Sequence, residues 1–321
     1  MKNILYTCPF IPAEWIAAHG LTPMRIAPAP TGSGLTAGVC PFAAAFIHAA
    51  CTTDARAVIV TTVCDQMRRS VEIIESQCET PVFLMNVPAT WQTAAAAKLY
   101  HDELIRLGRF LETVGGTKPT LMQLADTMMR YEKLRKRLLD AREEVRPKDF
   151  SQSIAQLHYN GIVPDDLLDR GPGTAGVPLA LAGGPLRSTD FEIFDLVEQA
   201  GGTIVLDATT GGEMTMAPPF DVVNLLHNPR IVLANAYFTG IPHAMRRPNS
   251  QLHEYLDREL TARGARGLIY RRYQWCDTWH GEAGRLKDSL STPLLDIVAA
   301  DDESDRAYVL TRIQAFVEML K

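Results

Sequence analysis

The chain has 321 residues, enough for two domains of ordinary size, each with its own core. Hydrophobic residues make up 46% and charged residues 21%, with mean hydropathy near zero, which excludes a disordered chain. A net charge of -5, from 37 acidic against 32 basic residues, argues against a nucleic-acid partner. The basic segment YEKLRKRLLDAREEVRPK alternates with acids at helical spacing and reads as a solvated helix face. No apolar run reaches the roughly 18 residues of a membrane span. The start MKNILYTCPFIPAEW lacks the order of a signal peptide, so a cytoplasmic location and no membrane partner are expected.

In chain order the pattern begins strand KNILYT, helix PAEWIAAHG, strand PMRIAPA. A Gly-rich loop, TGSGLTAG, leads to the small-residue helix PFAAAFIHAAC, the β-branched run AVIVTTV, the helix DQMRRSVEIIES and the short strand PVFLMNVP. Strand signals then stop. AAAAKLYHDELIRLGRFLETVGG and TLMQLADTMMRYEKLRKRLLDAREEV are helical, and the turn DRGPGTAG opens a second alternating region. There VPLALAGG, TIVLDATT, RGLIYRRYQ and PLLDIVAAD read as strands, separated by helices and by a long loop after TIVLDATT, before a final helix RAYVLTRIQAFVEMLK. Such alternation predicts two doubly wound, flavodoxin- or Rossmann-like parallel-sheet α/β domains. The expected division is a first α/β domain over 1–92, a helical connector over 93–170 and a second α/β domain over 171–321, with the site in the interdomain cleft.

Of the six cysteines, Cys8, Cys40, Cys51, Cys64 and Cys276 fall where a strand hands over to a loop or helix, in TCPF, VCPF, ACTTD, VCDQ and WCDT. Open α/β sheets assemble ligand sites at such ends, which points to a shared metal or redox role. Buried cysteine as a small hydrophobe is the alternative. In a cytosolic chain of this length the count argues for thiols or a metal and against a disulfide framework. Cys40 and Cys64 come from the first domain and Cys276 from the second, so the three would bracket a cleft, yet they lack the compact C-x-x-C spacing of a zinc ribbon. TGSGLTAG has neither G-x-G-x-x-G nor a P-loop ending and reads as a flexible loop beside the site. His280 and Glu282, just after Cys276, are candidate proton-transfer groups or simple helix-start polar residues. Arg68, Arg69, Arg271 and Arg272 flank two of the cysteines and would lower thiol pKa if close. His243, in GIPHAMRRP, reads as a local hydrogen-bonder, and Cys78 as structural.

Taken together, VCPFAAAF, TTVCDQMRRS, YQWCDTWHGE and the terminal PLLDIVAADDESDRAYVLTRIQAFVEML resemble the 2-hydroxyacyl-CoA dehydratase and benzoyl-CoA reductase family. The resemblance implies a [4Fe-4S] cluster on Cys40, Cys64 and Cys276, and low-potential one-electron chemistry on an acyl-CoA thioester. It further implies an ATP-dependent, cluster-containing activator protein as partner, and a homodimer or a heterodimer with a related subunit. Cys8 and Cys51 resemble extra ligands of the double-cubane cluster proteins of the same family, which implies an alternative [8Fe-9S] cofactor and a reductase acting on a small non-CoA molecule. Those relatives carry a further cysteine in a segment like LDATTGGE, where this chain has Ala208 and Thr209, and the chain is shorter than is usual for the family. A non-catalytic cluster-binding electron-transfer subunit is the third possibility. Substrate is expected to enter the cleft between Gly32, Ser33 and Gly34 on one wall and Asp277, His280 and Glu282 on the other.

Overall fold

Strand segments with no polar alternation, such as ILY, AVIV and LALA, need cover on both faces, and parallel sheets provide it. A computed structural model describes residues 2–31, 38–299 and 305–321 of the chain. The first half runs β1 (Asn3–Tyr6), α1 (Ala13–Ala18), β2 (Thr22–Arg25), α2 (Pro41–Thr52), β3 (Ala57–Thr61), α3 (Asp65–Gln77) and β4 (Val82–Met85). All pairings are parallel, in the order β2-β1-β3-β4. Side chains alternate across this sheet. Leu5, Val58 and Val60 meet Phe46 and Ile47 of α2 and Ile74 of α3, while Ile4, Tyr6 and Ile59 face the opposite core.

Three long helices follow: α4 (Ala94–Thr113), α5 (Leu121–Asp140) and α6 (Pro147–Asn160). The Thr93 side chain caps α4, a Thr120–Gln123 capping box starts α5, and Gly161, at φ 69°, ends α6. α6 contacts both β2 and β6 (Gly202–Thr209), so it wedges between the two sheets. The second half runs β5 (Val177–Gly183), α7 (Glu192–Gln199), β6, α8 (Val222–Leu225), α9 (Pro229–Phe238), α10 (Ser250–Ala262), β7 (Gly267–Tyr273), α11 (Asp277–Ser289), β8 (Leu294–Ala299) and α12 (Asp305–Leu320). This sheet is also parallel, in the order β6-β5-β7-β8. The two four-stranded parallel sheets thus share one winding order, and the chain is a doubly wound α/β protein. Among the described residues no helix is long and apolar enough to cross a membrane.

Where the turn-rich pattern after TIVLDATT predicts a long loop, the structure holds two helices. Leu233, Tyr237 and Phe238 of α9 join the core formed by Tyr6, Tyr100 and Leu104, so this stretch of the second half covers the first sheet. In the other direction, Cys40, Phe42 and Ala43 of the first half pack with Tyr270, Tyr273 and Trp279 of the second. Arg25, at the end of β2, adds a polar tie by donating to the Thr210 carbonyl and, at 3.3 Å, to the Thr215 hydroxyl.

One backbone approach sets how tightly the second sheet closes. Gly183 ends β5 at φ 136°, and a Cβ there would lie 1.8 Å from the Arg271 carbonyl oxygen, whereas at Gly184 the nearest atom would be 3.5 Å away, on Trp279. Gly183→Ala should therefore lose about 3 kcal/mol or more, or fail to fold, while Gly184→Ala stays within about 1 kcal/mol of the parent. Urea unfolding of the two variants checks this.

Candidate functional site

In an open sheet the ligand crevice lies beyond the carboxyl ends of the strands where the winding reverses, here between β1 and β3 and between β5 and β7. The two crevices face each other and form one cavity of about 80 Å³. Its lining includes Thr7, Cys8 and Pro9 after β1, Thr61 at the end of β3 with Val63 and Cys64 after it, Pro185 after β5, Thr210 after β6, and Tyr273 at the end of β7 with Cys276 after it. Cys40, Phe42, Ala43, His243, Thr278 and Trp279 complete most of the wall, and among the described residues no carboxylate lines it.

Cys40, Cys64 and Cys276 are the N-cap residues of α2, α3 and α11. Each sulfur therefore sits at the positive end of a helix, facing backbone N–H groups that have no intrahelical partner. None of the three sulfurs closes a capping hydrogen bond, but the nearby N–H groups of Phe42 and Ala43 favour the Cys40 thiolate, those of Gln66 and Met67 the Cys64 thiolate, and that of Trp279 the Cys276 thiolate. The Gln66 side-chain oxygen also accepts from the Cys40 N–H at 3.3 Å, which joins the starts of α2 and α3. Trp275, exposed and left-handed at φ 65°, forms the turn that aims Cys276, closed by the Cys276 N–H on the Tyr273 carbonyl at 3.2 Å. A side chain other than glycine at that φ costs about 1–2 kcal/mol, so the turn is held by its surroundings.

Burial dominates the thiol electrostatics. It raises the pKa of Cys8, Cys40 and Cys64, and pushes Cys276 up to about 12. The thiols reinforce one another, since Cys64 raises Cys40 and both raise Cys276, while the N–H donors oppose the shift. Cys8 additionally accepts from the Thr61 hydroxyl and the Phe10 N–H, and the Arg25 and Arg246 charges pull it down. His243 is buried against Phe10 and Trp279 and is lowered to about 3, first by desolvation and then by Arg246 and Arg25. Its Nδ1 accepts from the Met245 N–H at 3.1 Å, so the neutral ring carries its proton on Nε2.

The structure brings Cys8, Cys40, Cys64 and Cys276 to one cavity; Cys51 is elsewhere. Cys51 lies eleven residues along α2 from Cys40, about 16 Å at the helical rise, and is disulfide-bonded to Cys78 at the end of α3, with Cα atoms 5.5 Å apart. Cys51, expected beside the other cavity thiols, is thus placed away from them, and one disulfide stands where the cysteine count argues against a disulfide framework, because α2 and α3 run side by side and their far ends meet. His280 and Glu282 do not line the cavity. The turn of α11 that points Thr278 and Trp279 inward leaves His280 exposed, with Nδ1 2.9 Å from Arg272 Nη1. Glu282 is buried on another side, 3.3 Å from both His253 and Arg285. Asp277 is exposed outside the lining and acts on Cys64 and Cys276 only through its charge. Gly32, Ser33 and Gly34 lie outside the described residues. Gln66, Met67, His243 and Trp279 are wall residues that the expected site omits; the first-turn spacing after each cysteine points to Gln66, Met67 and Trp279, and nothing in the chain points to His243.

Among the described residues no group of three or more His, Cys, Asp or Glu stands as a single-ion site. Four thiolates on one tetrahedral ion with bonds of about 2.3 Å would lie within about 3.8 Å of one another.

The raised thiols give a direct expectation for the metal-free chain. At pH 8 a thiol moved from its ordinary 9.0 to about 12 has roughly 10³-fold less thiolate, so iodoacetamide should label Cys276 far more slowly than a free thiol, as read by peptide mass spectrometry. The sign for stability follows: the native state holds this proton more tightly than the unfolded state, so its contribution is full below about pH 9 and is lost as pH rises toward 12.

No curated protein matches the chain. The family described as 2-hydroxyglutaryl-CoA dehydratase, D-component, matches residues 8–320, from the first cavity cysteine to the last helix. The chain belongs to the 2-hydroxyglutaryl-CoA dehydratase D-component family.

Proposed function

We propose that this chain is an iron-sulfur subunit of a 2-hydroxyacyl-CoA dehydratase-type enzyme, with Cys40, Cys64 and Cys276 holding a [4Fe-4S] cluster. The observation that carries it is the convergence of three N-capping cysteines from both halves of the chain on one cavity that, among the described residues, has no carboxylate in its wall. The residues fit such a group chemically: soft sulfur ligands suit iron-sulfur clusters, and N–H donors to the sulfurs stabilise the anionic thiolates that ligation requires. When bound, the cluster supplies low-potential single electrons and a Lewis-acidic iron.

The protein's own part is to shape and dry the site. Phe42, Tyr273 and Trp279 exclude water from the wall. Tyr273 is locked by its hydroxyl donating to Asp190, which Arg271 holds at 2.7 Å. His243, neutral over the physiological range, offers an Nε2–H donor suited to a thioester carbonyl without adding charge beside it. Thr61, Thr210 and Thr278 add hydroxyls to the wall. The acyl head of an acyl-CoA is the substrate we assign to this cavity, with electrons delivered by an ATP-dependent activator and a related subunit completing the enzyme.

Cys8 on the same wall favours the second reading, a larger double-cubane cluster and a non-CoA substrate. Two features weigh against it: Cys51 is paired with Cys78, and Ala208 and Thr209 supply no further thiol.

Replacing Cys40, Cys64 and Cys276 singly with Ser, followed by anaerobic reconstitution, should cut iron per chain to below about half of the parent in each case, whereas Cys51→Ser should retain it. Parent-level iron in any of the first three variants would overturn the ligand assignment.

A further inference from the structure

Buried arginines elsewhere in the chain have carboxylate partners: Arg135 pairs with Glu14, and Arg271 with Asp190. Two do not. Arg25, 8% exposed, directs Nε to the Thr7 carbonyl at 3.1 Å and Nη2 to the Thr210 carbonyl and Thr215 hydroxyl, with Nη1 3.4 Å from His158 Nδ1. Arg246, fully buried, donates to the Pro88 carbonyl at 3.2 Å and to the Phe238 carbonyl. Its guanidinium lies 4.3 Å over Phe10 and 4.7 Å over Phe238, and its Nε has no partner. Among the described residues neither makes an ion pair with a carboxylate.

A buried cation without a counter-charge is costly, so its retention twice on one side of the site asks where the negative charge lies. The groups near Arg25 that could carry a negative charge are Tyr6, Tyr237 and Cys8, and those near Arg246 are Tyr100 and Cys8; both cations also act on His243, which burial keeps neutral. The tyrosines are driven above their ordinary range by burial and stay neutral. His158 is likewise kept neutral by burial and by Arg25. Cys8 and the neutral His243, both on the cavity wall, are what the two cations share, and of these Cys8 alone could carry a negative charge. Neither guanidinium lines the cavity, so both act on its contents through their field and not by contact.

We propose that Arg25 and Arg246 are the fixed positive charges that compensate an anionic group bound on the Cys8 side of the cavity, and that they raise its reduction potential. This deepens the cluster reading and rests on it. Reduction adds one electron and one negative charge to the bound group, with the electron supplied by dithionite in the assay. A nearby cation favours the more negative state, and cluster potentials respond to net local charge.

The test uses the full chain reconstituted anaerobically with iron and sulfide, compared with Arg25→Met, Arg246→Met, Arg25→Lys and Arg246→Lys. Iron per chain and the midpoint potential, from a redox titration followed by electron paramagnetic resonance, are measured for each. The Met variants should keep the parent's iron content and shift to a more negative midpoint, while the Lys variants stay closer to the parent. Arg25 also ties the two halves together, so if its Met variant does not fold, Arg246→Met and Arg246→Gln carry the same expectation. Parent-level midpoints in the iron-loaded Met and Gln variants would overturn the proposal and leave the cluster reading standing. A parent chain that takes up no iron would overturn both.

Discussion

Burial drives a thiol toward its neutral form, and the arrangement of the site opposes that tendency. Four cysteines face one largely apolar cavity, and desolvation is the first cause of the raised pKa at every one of them. Against it the chain sets three helix N-termini, at Cys40, Cys64 and Cys276, and a hydroxyl and an N–H at Cys8. These donors need the helices to start where they do. The starts in turn depend on the strand order, because only the reversal of winding on either side of β1 and β5 opens room for helix ends to meet.

The same logic explains why packing crosses between the two halves. Phe42 and Ala43, in the first turn of α2, pack on Tyr273 and Trp279, and α9 from the second half covers the first sheet. The thiols of both halves are thus fixed relative to each other by apolar contact, with Arg25 as a polar tie. Positive charge is arranged on the Cys8 side, while Asp65 and Asp277 act on Cys64 and Asp277 on Cys276. Asp190 answers two arginines, Arg187 and Arg271, beneath Tyr273, and Arg25 and Arg246 have no carboxylate at all among the described residues.

Much of this is legible in the sequence because it rests on local rules. The apolar runs AVIVT and LALAG announce buried parallel strands, and a cysteine just before a helix-period run announces an N-cap thiol. What is not legible comes from packing in three dimensions. The periodicity of PRIVLANAYF is blurred because α9 is apolar around much of its circumference, so it reads as loop. Cys51 and Cys78 meet because two helices run side by side, a fact no spacing in the chain encodes. His280 and Glu282 fall close to Cys276 in sequence, yet one turn of helix carries them off the cavity, while His243 reaches the wall from a loop far along the chain.

The most direct test of the central claim is anomalous scattering at the iron edge from crystals of the full chain, grown anaerobically after reconstitution. The account predicts iron within bonding distance, about 2.3 Å, of the sulfurs of Cys40, Cys64 and Cys276, with none at the Cys51–Cys78 pair. Iron absent from that cavity, or zinc in its place, would contradict it.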